Sequence, residues 1–158
     1  MDKTMSILMF SGDYDKALAA FILANSAMEL NVQVNMFFAF WGLSIIRDPE
    51  SVSEEDQSIS ETLFKNMTSK GVANTQLSKM NFGGIGKKML ESMMEDNDTP
   101  TIEAFLKGAI KKGLNIKACK LSCEIMGFSQ EELLEGTDII TAHDYLKDAL
   151  EADIELFI

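Results

Sequence analysis

The stretch MSILMFSGDYDKALAAFILANSAM, Met5–Met28, changes its periodicity part-way along. MSILMF is a short apolar run, the length of a buried strand, and it stops at Ser11-Gly12-Asp13, a turn-forming triplet. From there the apolar positions Ala17, Leu18, Phe21, Ile22 and Met28, with Asn25 among them, recur at helical spacing, and Asp13 or Asp15 stands where a helix cap is needed. A strand, a turn and an amphipathic helix in that order form half of a βαβ crossover. The next segment decides whether a second strand completes it.

It does. VQVNMFFAF, Val32–Phe40, is β-branched and aromatic, alternating first and then continuously apolar, which suits a strand covered on both faces, and it ends at Trp41-Gly42. Residues 47–98 read as an excursion of loop and short helices within one domain spanning 1–158. RDPESVSEEDQSIS, Arg47–Ser60, is an acidic, solvated loop; Ser58 and Glu61 make a capping box for a helix through Met67; and NFGGIGKKMLESMMED leads from a glycine turn into a methionine-rich helix. Met80, Met89, Met93 and Met94 read as packing or interface side chains. Thr99-Pro100 looks like a cap followed by a first-turn proline, with an apolar stripe through Ile102, Phe105, Leu106, Ala109 and Ile110 that stops at Gly113. LNIKA, Leu114–Ala118, is a short strand with Cys119 at its carboxyl end, and GTDII, a helix over His143–Leu150 and IELFI close the chain. Strands separated by helices predict an α/β fold with a parallel sheet covered on both faces. Ligands and reactive groups then gather beyond the carboxyl ends of the strands, where Ser11-Gly12-Asp13, Phe40-Trp41-Gly42 and Ala118-Cys119 fall.

Charge narrows the function. With 25 acidic against 14 basic side chains and a formal net charge of −11, the chain repels a phosphate backbone, so nucleic acid is not an expected partner. The longest apolar run, Met36–Leu43, is far short of the roughly 20 residues of a membrane span, and the first residues lack a signal-peptide core. Two cysteines neither staple a secreted miniprotein nor complete a zinc site, which fits a reduced, cytoplasmic setting.

Both cysteines lie in KACKLSCEIMG, Lys117–Gly127. Cys119, at a strand-to-helix junction between Lys117 and Lys120, is placed for thiolate stabilisation by helix-start amides. Cys123, one turn on and on the same face, is a candidate resolving thiol that gains less from the terminus. The competing reading takes both as small buried hydrophobes. Closing a disulfide between helical residues four apart needs the first turn to unwind, since their Cα atoms are about 6 Å apart and their Cβ bonds run alongside one another. Gly83-Gly84-Ile85-Gly86-Lys87 resembles a phosphate loop but lacks the spacing of one, Asp13 and Asp15 oppose a flavin phosphate, and His143 is read as a helix-start residue. No metal or nucleotide cofactor is called for.

Taken together, SGDYDKALAAFILANSA, NMFFAFWGL, NFGGIGKKM, ACKLSCEIMGFSQEEL and the final ELFI resemble the DsrE/DsrF/DsrH-like proteins, in particular their longer DsrE-type branch, often labelled peroxiredoxin-like. The chain lacks the threonine-rich cysteine motif of true peroxiredoxins. The resemblance implies a three-layer, flavodoxin-like α/β/α sandwich with a mostly parallel five-stranded sheet and association into homo-oligomers. It also implies a sulfur-carrier or sulfurtransferase-like role in relays with rhodanese and TusA-like carriers. It maps the family's persulfide-bearing cysteine onto Cys119 and puts Cys123 where the branch commonly has methionine. It makes Phe40, Trp41 and Gly42 a wall of the cysteine pocket, with Ser11, Gly12, Asp13, Gly84 and Gly86 as further pocket residues. A thiol beside a persulfide can release sulfide or close a disulfide, so a dithiol redox or peroxide-reducing protein, or a non-catalytic interaction subunit, are the alternatives.

Overall fold

The structure, a computed structural model, describes residues 3–51 and 58–158; part of the acidic loop expected at 47–60 therefore lies outside the described residues. The first strand-turn-helix unit is present as β1 (Thr4–Met9) and α1 (Tyr14–Glu29), followed by β2 (Gln33–Phe38). Then come α2 (Ile59–Met67), α3 (Ile85–Asp96), α4 (Ile102–Lys111), β3 (Asn115–Cys119), α5 (Lys120–Met126), β4 (Asp138–Ile140), α6 (Ala142–Leu150) and β5 (Ile154–Phe157). The five strands form one sheet in the order β4-β3-β2-β1-β5 with every pairing parallel.

The two-residue period of the strands sorts their side chains onto unequal faces. Met5, Ile7 and Met9 of β1, Val34, Met36 and Phe38 of β2, and Ile116 and Ala118 of β3 join the main core with Ala17, Phe21 and Ala24 of α1 and Ile102, Leu106 and Ala109 of α4. Buried Asn25 ties α1 to α4 by donating to the carbonyls of Phe21 (2.8 Å) and Phe105 (2.9 Å). On the opposite face, Phe37, Ala39 and Cys119 make a smaller cluster with Tyr145 and Ala149 of α6, edged by Leu8 and Ile140. Phe37 stacks on Tyr145 at 4.4 Å, and Lys117 pairs with Asp148 of α6. Adjacent phenylalanines 37 and 38 thus serve different cores, which is why β2 reads as an unbroken apolar run.

The capping details differ from the sequence expectation in one place. The N-cap of α4 is Thr101, whose hydroxyl accepts from the Ala104 amide at 3.2 Å, so Pro100 lies outside the helix rather than in its first turn. The Ser58–Glu61 capping box forms as expected. Among the methionines of the glycine-turn and helix stretch, Met94 is buried while Met80, Met89 and Met93 are exposed.

A buried ionic cluster fastens α2 to the body. Glu132, 0% exposed, accepts from Lys65 Nζ of α2 at 2.6 Å and faces Arg47 Nη2 at 3.8 Å. Arg47 also donates to the carbonyls of Lys65 and Thr68 and lies over the Phe128 ring at 4.6 Å. Lys65 is the only buried residue of α2.

Candidate functional site at the carboxyl edge of the sheet

β1, β2 and β3 end on the same rim, and each delivers one of the expected stretches there. After β1, Ser11 Oγ donates to Asp13 Oδ2 at 2.9 Å, and the same carboxylate pairs with Lys16 at 2.9 Å. Asp13 occupies the N-cap position of α1 without its side chain capping the helix, because the carboxylate is committed to these two partners. After β2, the FWG stretch opens a 3-10 helix, Phe40–Ile46, that folds back on β1. The Gly42 amide donates to the Phe10 carbonyl at 2.9 Å, and Phe40 is held at φ 48°, a left-handed conformation unusual for a bulky side chain.

Two glycines permit this approach. A Cβ on Gly42 would sit 2.0 Å from the Met9 carbonyl oxygen, and one on Gly12 would sit 2.6 Å from the Trp41 carbonyl oxygen. Between the two turns and α2 opens a cleft of about 550 Å³ lined by Ser11, Gly12, Asp13, Trp41 and Phe64, among others. The rings of Trp41 and Phe64 lie 5.8 Å apart. Of the expected pocket residues, Ser11, Gly12, Asp13 and Trp41 meet here. Phe40 turns to the ring of Phe10, at 5.8 Å, and Gly42 is spent on packing. Gly84 and Gly86 stand at the start of α3 and do not line the cleft. Gly84 takes a positive φ of 96°, and a Cβ on Gly86 would meet the Met80 carbonyl oxygen at 1.8 Å. Lys87 beside them bonds the Ala73 carbonyl and covers the Tyr14 ring, so this lysine is committed to packing α3 against the body.

The cysteines fall into different surroundings. Cys119 closes β3 opposite Ile140, is the N-cap of the seven-residue α5, and belongs to the small cluster under α6. It is a free thiol, 8% exposed, outside the lining of the cleft, and its side chain makes no capping bond to α5. Lys117, expected to lend it positive potential, is engaged by Asp148. Cys123 is 3% exposed and packs in the main core. Burial, with Cys119 and Glu124 nearby, pushes its thiol up from 9.0 to about 12.

That shift makes a pH prediction. A thiol held protonated in the fold but titrating near 9 when unfolded favours the unfolded chain as pH rises between the two values. Its stabilising effect is therefore complete below pH 9 and lost toward 12. Tyr14 and Tyr145, raised mainly by burial from 10.0 to about 12, act in the same direction. Stability measured by urea unfolding should decline above pH 9 by up to about 1.4 kcal/mol per pH unit per group. In Cys123→Ala the onset should move to pH 10; an unchanged onset would show that Cys123 ionises freely.

Sequence reasoning missed Tyr145 and Ala149 as neighbours of Cys119. Their signal was available, since residues four apart share one face of the helix expected at 143–150. It also missed Phe64 as the far wall of the cleft, which only the tertiary placement of α2 reveals.

The fold is thus a fully parallel five-stranded α/β sheet, with a free thiol where the interior strand β3 ends. The chain belongs to the DsrE/DsrF/DrsH-like family, whose model matches residues 1–157. It is 36% identical over 156 residues to the uncharacterized protein YrkE of Bacillus subtilis, covering 99% of this chain and 97% of that one. It is 22% identical over 156 residues to the sulfur carrier protein DsrE2 of Allochromatium vinosum, covering 99% and 98%. Among solved structures, the ychN protein of E. coli superposes with a TM-score of 0.56 at 14% identity over the whole of both chains. MTH1491 of Methanobacterium thermoautotrophicum does so with 0.57 at 12% identity over 99% and 98%. These likenesses confirm the expected fold. No helix among the described residues is long and apolar enough to cross a membrane.

Proposed function

We propose that this protein carries sulfane sulfur as a persulfide on Cys119 and hands it to the thiol of a partner in a sulfur relay. Membership of a family that includes a named sulfur carrier supports the relay role. The observation that carries the assignment to Cys119 is the contrast between the thiols: one ends a strand on the rim, the other is kept protonated inside the core.

In the loading step the Cys119 thiolate attacks the outer sulfur of a donor persulfide. The donor's S–S bond breaks, the donor leaves as a thiolate with that electron pair, and the sulfur with its proton stays on Cys119. In the unloading step a partner thiolate attacks the outer sulfur and Cys119 departs as the thiolate. Neither step consumes an oxidant, and neither requires a metal or nucleotide. Rhodanese-type donors, TusA-like acceptors and assembly of this chain with copies of itself belong to the same proposal.

The test is intact-protein mass spectrometry of wild type, Cys119→Ser and Cys123→Ser after exposure to polysulfide, before and after reduction. Reducible additions of about 32 Da in wild type and Cys123→Ser, absent from Cys119→Ser, are expected. A loss of about 2 Da that needs both cysteines would replace this reading with a dithiol redox protein. No change in any variant would leave an interaction subunit.

A further inference from the structure

A cavity of about 680 Å³ opens between α3, the start of α4 and the first residue of α1, sharing no lining residue with the cleft beside Trp41. Four carboxylates line it, Glu91, Glu95, Asp98 and Glu103, against the single charge of Lys88. Glu91 has Lys87 at 3.9 Å, while Glu95, Asp98 and Glu103 have no ion pair among the described residues. Acid gathered in a hollow without counter-ions concentrates a negative potential there.

Acidic residues alone would be a solvated face, and Tyr14 makes the difference. It lines the same cavity yet is only 1% exposed, and its hydroxyl has no hydrogen-bond partner among the described residues. Lys87 lies over its ring at 4.9 Å from the centroid, and Glu91 and Glu103 are the charges that act on its hydroxyl, so the oxygen is the end of the side chain that meets the cavity. A buried tyrosine ordinarily finds a partner for this group. The partner that fits must bond a phenol oxygen and bring positive charge to the carboxylates, and an ammonium group does both. A metal ion concentrates its charge too much: no three acidic, cysteine or histidine side chains among the described residues stand close enough together to hold one. The carboxylates are instead spread out, with Glu91 and Glu95 one turn apart on α3, Asp98 beyond its end and Glu103 in the first turn of α4. A cavity within the roughly 300–1,000 Å³ of small-molecule sites, with its charges distributed in this way, suits a ligand whose own charges are distributed.

We infer that this cavity binds a small aliphatic polyamine, one ammonium group donating to the Tyr14 hydroxyl oxygen and the others meeting the carboxylates of α3 and α4. No covalent step is involved, and the inference is independent of the chemistry at Cys119.

The experiment titrates spermidine into wild type, Tyr14→Phe, Glu103→Gln and Glu135→Gln by calorimetry at low salt, with the Tm of each protein read without ligand. A chain of net charge −11 attracts any polycation, so the informative variant is Tyr14→Phe, which changes no charge and keeps the ring under Lys87. It should bind spermidine about tenfold more weakly than wild type, the effect of losing one hydrogen bond from a charged donor. Its Tm without ligand should equal or exceed that of wild type, because an unpartnered hydroxyl has been removed. Glu103→Gln should also weaken binding, whereas Glu135→Gln, which neutralises an exposed carboxylate outside the cavity, should bind as wild type does. Equal affinity in wild type and Tyr14→Phe would reduce the effect to diffuse attraction and overturn the site, as would absence of spermidine binding to wild type. A Tyr14→Phe protein less stable than wild type without ligand would make the hydroxyl structural and overturn its role. Magnesium binding at matched ionic strength with the same dependence on Tyr14 would make the cavity a metal site and overturn the polyamine reading.

Discussion

Glu132→Ala should lower the unfolding free energy by about 3–5 kcal/mol, the cost of leaving buried charges without their counter-ion. Against a typical total of about 5–15 kcal/mol, that is enough to leave a substantial part of the chain unfolded at 37 °C. The reason lies in the count of charges: two cations, Lys65 and Arg47, converge on one carboxylate, and all three side chains are buried. Removing the carboxylate leaves two like charges together in a desolvated space. It also releases the Ser129 amide, which donates to the same group at 3.0 Å. Lys65→Met should cost less, because Arg47 and Glu132 remain paired and a methionine can occupy the volume of the lysine stem. Denaturant unfolding of the two variants with m held constant is the measurement. A Glu132→Ala loss below about 1 kcal/mol would mean that the cluster is solvated.

Gly42→Ala should cost about 3 kcal/mol or more and move the turn after β2. A methyl group 2.0 Å from a backbone oxygen of β1 cannot be relieved by a rotamer change, since the obstacle is the strand itself. The 3-10 helix must lift, breaking the bond from the Gly42 amide to Phe10 and shifting Trp41 relative to Phe64. Trp41 is the only tryptophan of the chain and is half exposed at 49%, so its emission reports the displacement directly. Unchanged emission together with wild-type stability would show that the turn is free to relax.

Most of the fold was legible because the signals were local. A short apolar run marked β1, alternation marked β3, helical spacing marked α1 and α4, and the Ser58–Glu61 box marked the start of α2. The 3-10 helix at Phe40–Ile46 was not foreseen. Its cause is the fit of Gly42 against β1, a contact between distant strand ends that no local pattern encodes. The same limit governed the site. Ser11, Gly12, Asp13 and Trp41 could be assigned to the rim from strand ends alone, and they do meet there. Whether Cys119 and Cys123 share an environment depended on which way the chain turns at the junction of β3 and α5. One-turn spacing suggested a common face, yet the N-cap position of Cys119 keeps its side chain in strand geometry, on the α6 side of the sheet. Glu132 shows a further gap: FSQEEL, Phe128–Leu133, carries the capping-box spacing of Ser129 and Glu132, while the pairing of Glu132 with Lys65, 67 residues away in sequence, has no local signal.

The sheet is covered unevenly, and this bears on how a partner reaches a thiol that is 8% exposed. α1 and α4 seal one face with a large core, whereas the Cys119 face relies on one nine-residue helix, α6, with two buried side chains of its own. Amide hydrogen exchange should register this as two layers with different opening energies, the α6 layer opening well before the strands beneath it. Cys119 lies under the layer that opens first, so its accessibility can fluctuate without any loss of the main core.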